Sequence, residues 1–95
     1  MDIEGLPGAD LIGAGIRDMN AGRRSPQALL VEIGAGRLRD AGLNVPETQL
    51  IDSFPEHRLY ALLAADDPDG AHGRYNALIR RLTSFERALE HARAR

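Results

Sequence analysis

The chain has 95 residues, 12 basic side chains against 14 acidic ones, a net charge of −2 and no cysteine. That length permits one domain, taken as residues 1–95, with a thin core: folding at this size buries about 60–65% of the unfolded chain's surface. The absence of cysteine excludes disulfides, thiolate metal sites and thiol nucleophiles, and no apolar run approaches the roughly 18 residues of a membrane span.

The start, MDIEGLPGAD, is acidic and has neither the basic nor the apolar segment of a signal peptide, so a cytoplasmic location is expected. All 12 basic residues are Arg, and Ala and Gly are abundant, the usage of a high-GC bacterial genome. Codon usage of that kind weakens any inference from Arg to nucleic acid. Leu and Ala together number 27, whereas Ile, Val and Thr number ten. Side chains with little rotamer freedom to lose favour helix. The expected class is all-α, a small four-helix bundle.

Residues 1–8 read as an irregular lead, broken by Gly5, Pro7 and Gly8. A first helix is expected over 9–21, with Ala9, Ile12, Ile16 and Met19 inward, Leu11 beside them, and Gly22 ending it in a left-handed cap. The second helix is the best punctuated. Ser25 suits the N-cap, Pro26 the first helical position and Gly42 the position after the end. Leu30, Ile33, Leu38 and Ala41 repeat along it at helical spacing.

Residues 43–54 read as a connector, with Val45, Leu50, Ile51 and Phe54 tucked against the bundle. A third helix starts at Pro55, capped by Ser53 or Phe54, and presents Leu59, Tyr60, Leu62 and Leu63 to the interior. Asp66-Asp67-Pro68-Asp69-Gly70 is then a turn, with Asp69 or a neighbour capping the next helix. So short a turn predicts an antiparallel hairpin of helices three and four.

Residues 74–92 carry the clearest signal in the chain. Tyr75, Leu78, Leu82, Phe85, Leu89 and Ala92 follow one another at spacings of three and four, a seam of coiled-coil strictness. A rod of about 28 Å results, the expected spine against which the other three helices close. Charge is uneven: residues 1–39 carry five acids and five Arg, 40–70 seven acids and one Arg, and 71–95 two acids and six Arg.

Most chemical motifs reduce to structure. Ile12-Gly13-Ala14-Gly15 recurs as Ile33-Gly34-Ala35-Gly36, but a phosphate loop needs its glycines between a strand and a helix N-terminus. Inside helices, such glycines permit close helix–helix approach instead. His57, His72 and His91 are too far apart in sequence for a paired metal site, and Asp66, Asp67 and Asp69 lack the spacing of a calcium loop. Glu56-His57 at a helix start is read as a solvated first turn. No catalytic residue, metal, cofactor or small-molecule substrate is assigned.

What remains is the outer face of the fourth helix. Arg74 and Arg81 are seven apart, as are Arg80 and Arg87, which stacks each pair on one side. Ile79 and Glu86 flank the apolar seam and would widen it toward another chain. The function expected is a non-catalytic protein–protein interaction or regulatory module. It would bind a protein partner, or a second copy as a homodimer, through Ile79, Arg74, Arg80, Arg81, Glu86 and Arg87. The alternative is a nucleic-acid-associated regulator using the same Arg face, against which stand the net acidity and the burial of Tyr75 and Phe85 in the seam.

Overall fold

Turn and cap chemistry separates four helices among the described residues. The computed structural model describes residues 3–47 and 54–94. Among them α1 is Ala9–Asn20, α2 Pro26–Asp40, α3 Pro55–Asp66 and α4 Ala71–Arg93, with no strand. The all-α expectation is met.

Both C-terminal glycines work as the sequence implies. Gly22 and Gly42 have φ of 75° and 97°. Arg23 N–H reaches Asp18 O at 2.8 Å and Leu43 N–H reaches Leu38 O at 3.0 Å, so each helix closes in a Schellman motif. Ser25 caps α2 by accepting from Ala28 N–H at 3.1 Å, while its hydroxyl donates to Asp18 Oδ2 at 2.5 Å. Gln27 adds a bond to the same oxygen at 3.0 Å. The end of α1 is thereby tied to the start of α2.

The first departure concerns the centre. α2, not α4, makes substantial contact with each of the other three helices. Ala28, Leu29, Leu30 and Val31 are consecutive and all buried, and four consecutive positions face every direction around a helix. A helix wrapped by neighbours needs no stripe, which is why its periodicity understates its role. Two glycines let the neighbours in. A Cβ on Gly15 would strike the Gln27 carbonyl and lie 2.5 Å from Val31 Cγ2; one on Gly34 would lie 2.9 Å from both Glu86 Oε2 and Leu82 Cδ1. Gly36 has nothing within 4 Å, and Gly13 only an ordinary contact with Arg17. The two Gly-Ala-Gly segments therefore use opposite glycines and are not structurally equivalent.

α4 is one unbroken rod of 23 residues, about 35 Å long. Leu82, Phe85 and Leu89 are buried, Tyr75 and Leu78 half-buried, and Ala92 is exposed. α3 packs beside it, with the Tyr60 and Tyr75 rings 5.7 Å apart, an arrangement compatible with the expected hairpin.

Four local expectations change. Phe54 is not tucked in but 63% exposed, its ring stacked on His57 at 5.3 Å. Tyr60 and Leu62 are also exposed, leaving Leu59 and Leu63 as the buried pair of α3. Gly70, not Asp69, occupies the α4 N-cap, and no side chain caps that helix. Asp67 shapes the turn instead, accepting from Gly70 N–H at 3.1 Å. Within the connector, Leu43 and Val45 are buried, and Arg39 holds the Val45 and Pro46 carbonyls at 3.3 and 2.9 Å. Leu50, Ile51 and Ser53 lie outside the described residues.

Candidate interaction surface on the fourth helix

The helical repeat of α4 sorts the expected binding residues into three groups. Leu82, Phe85 and Leu89 point to the core, so positions 79 and 86 fall on the flank toward α2 and positions 77, 80, 84 and 87 fall opposite.

Ile79 and Glu86 form the first group. Ile79 is half-buried and packs against the core. Glu86 is only 6% exposed, lying over Gly34 of α2. It does not widen the outer face: one turn beyond Leu82 and just short of Leu89, it shares their side of the helix, and the missing side chain at Gly34 gives it room. There it meets Arg37, whose Nη1 donates to Glu86 Oε1 at 3.3 Å. The same guanidinium grips Glu90 through two bonds of 2.7 Å.

This cluster splits two similar carboxyls. Burial pushes the Glu86 carboxyl up, although Arg37 pulls it down and Glu90 adds to the rise. The hydrogen bonds from Arg37 hold Glu90 below its ordinary range, with Arg37 and Arg87 adding charge attraction. The Glu90 bond raises Arg37 in turn. Arg37 is a residue that sequence reasoning placed only at a helix end; its partners lie 49 and 53 positions away, and no local pattern announces them.

Arg74 and Arg81 form the second group, exposed but already engaged. Arg74 meets Asp66 at 3.0 Å and Arg81 meets Asp10 at 3.3 Å. Exposed pairs of this kind are worth about 0.2–1 kcal/mol and yield readily to a competing carboxylate.

Arg80 and Arg87 form the third group. Both are exposed, and neither has an ion pair within 4 Å among the described residues. One heptad separates them, about 10.5 Å along the axis. Ala77 and Ser84 lie between and beside them, so the face carrying the two guanidiniums is otherwise low. Pro7 and Gly8 of the lead close one side, making a shallow groove of about 380 Å³ with Ala77, Arg80, Arg81 and Ser84.

The remaining polar residues do not converge. No group of three or more His, Cys, Asp or Glu side chains is placed to hold a metal ion among the described residues. His57 lies against Phe54, and His72 contacts Asn76 at 3.2 Å. Among the described residues, no helix is long and apolar enough to cross a membrane. In comparisons with known proteins, no family model, curated protein or solved structure matches the chain.

Proposed function

We propose that this chain is a non-catalytic interaction module of the cytoplasm that binds another protein through the outer face of α4. The observation that carries this reading is the pair Arg80 and Arg87: two exposed guanidiniums, a heptad apart on one rigid helix, with no ion pair within 4 Å among the described residues, Arg87 acting on Glu90 only at longer range. A partner helix with carboxylates at matching spacing would meet both at once, and charges so placed fix register and partner choice. Arg74 and Arg81 stand at the edge of this surface and can exchange their internal carboxylates for the partner's. Ile79 and Glu86 support it from behind, holding α4 against α2.

The nucleic-acid alternative draws less support. Two of its four expected Arg are tied to Asp66 and Asp10, and the chain is net acidic. Phosphate tracking favours a continuous run of available cations.

Because the chain has no cysteine, one thiol can be placed at will. Ser84→Cys carrying a photo-crosslinker should form a discrete protein adduct in extract of the source cells. Gly36→Cys, on the open side of α2, should not. Adding Arg80→Glu and Arg87→Glu to Ser84→Cys should abolish the adduct. Equal adducts from both positions, or none from Ser84, would overturn the reading. Binding of random-sequence duplex DNA or single-stranded RNA that collapses between about 50 and 200 mM salt would transfer the surface to nucleic acid.

A further inference from the structure

The geometry points to a second copy of this chain as a partner for the α4 face, the two helices crossing antiparallel about a two-fold axis at the level of residue 75. This rests on the α4 reading above for Arg80 and its neighbour Arg81, leaves Arg87 outside the contact, and adds the identity and register of the partner. The turn entering α4 exposes Asp66, Asp67 and Asp69, while Arg80 and Arg81 follow further along the rod. From Asp69 to Arg81 is twelve residues, about 18 Å at helical rise.

A helix entered from an acidic turn and basic further along complements itself when a copy is laid antiparallel. With the axis at residue 75, the acidic turn of each copy reaches Arg80 and Arg81 of the other. Every such contact occurs twice, as an isologous interface demands. Gly73 then faces Ala77 across the axis. Both are exposed, and a Cβ on Gly73 would meet nothing within 4 Å, so the helices can approach to about 8 Å.

Two further features agree. Arg74 lies near the axis, where like charges would repel, but it carries Asp66 at 3.0 Å. The groove walled by Pro7 and Gly8 lies beside Arg80, Arg81 and Ser84, where the incoming Pro68–Asp69 corner would arrive. One helix face and a turn cover less than the roughly 800 Å² per partner of a standard interface, so the pairing is weak and depends on concentration.

The test uses the two residues of this contact that have no intrachain bond among the described residues, Asp69 and Arg80. The mass of the full chain, followed by light scattering from micromolar to about millimolar concentration, should climb from monomer toward dimer and fall back in high salt. Asp69→Arg or Arg80→Glu alone should weaken association by about tenfold, because each places like charges at both symmetry-related contacts. An equimolar mixture of the two variants should recover it, because both contacts then pair opposite charges. A wild-type monomer at every concentration overturns the inference, as does a dimer indifferent to both substitutions or a mixture that fails to recover. The Ser84→Cys adduct separates the two readings: a monomer that still forms it with another protein keeps the interaction surface and loses only the second copy.

Discussion

α2 and α4 reach their places in the bundle by opposite routes. α4 has the cleaner apolar stripe of the two and the greatest length, yet its substantial helix contacts are with α2 and α3 alone. α2 shows the weaker pattern because it touches α1, α3 and α4. Periodicity measures how one-sided a helix is, so it rewards helices at the edge of a bundle and passes over the helix at its middle. The outer half of α4 carries no other helix in substantial contact; the lead at Pro7 and Gly8 covers only one edge of it.

Truncation tests this contrast most strongly. Leu30 in α2 is fully buried, and Leu30→Ala should cost about 2–5 kcal/mol in urea unfolding. Leu78 in α4 is half-buried, and Leu78→Ala should cost about half as much or less. Equal losses would remove α2 from the centre. At this chain length the larger loss is a substantial share of total stability, so Leu30→Ala should also lower Tm by more than about 8 °C.

The glycines give a smaller effect with a change of sign. Gly15→Ala forces a methyl group onto the Gln27 backbone and Val31, and should destabilise by about 1–3 kcal/mol despite its better helix propensity. Gly36→Ala meets open space and should stabilise by up to about 1 kcal/mol. Both substitutions fall within Gly-Ala-Gly, so a shared sign would show that the motif, not the neighbour, sets the outcome.

These contrasts mark what the sequence can announce. Ser25, Pro26, Gly42 and Pro55 declared their helix ends because capping is settled within a few residues. The α4 rod declared itself because 3.6-residue periodicity is equally local. Burial of Leu29 and Val31, by contrast, depends on helices arriving from both sides. Phe54 looked apolar enough to be covered, yet its ring lies outside against His57. Asp67 and Asp69 were interchangeable as turn formers until the backbone chose Asp67. Within the candidate surface, Arg80 and Arg87 were legible by spacing. The neutralisation of Arg74 and Arg81 and the inward turn of Glu86 depended on Asp66, Asp10, Gly34 and Arg37, each contributed by another element.

The joint between α1 and α2 ranks next. Ser25→Ala removes the N-cap and one of the bonds to Asp18, and should cost about 1 kcal/mol in urea unfolding. Asp18→Asn keeps an acceptor for Ser25 and should cost less. If the two were reversed, the cap would matter less than the charge at the end of α1.

The smallest effect concerns the junction of the two compared helices, and it is read through pH. The folded chain holds the Glu86 proton more tightly than the unfolded chain, so this group's contribution is full below the ordinary value of 4.5 and is lost as pH rises through its raised value. Glu90 behaves oppositely: its contribution is present above 4.5 and is lost as pH falls through its lowered value. Glu86→Gln keeps a neutral group of similar shape over Gly34 and leaves Glu90 with Arg37. The variant should gain on the wild type as pH rises above 4.5, ending more stable at neutral pH by about a few degrees in Tm. Glu90→Gln should lose ground over the same rise, because it discards the carboxylate that Arg37 grips with two bonds. Thermal unfolding of the three proteins at pH 4 and pH 7 decides the matter. Should Glu86→Gln lose ground like Glu90→Gln, the attraction of Arg37 outweighs the cost of burying Glu86, and the α2–α4 contact is held by its ion pairs more than by the close approach that Gly34 allows.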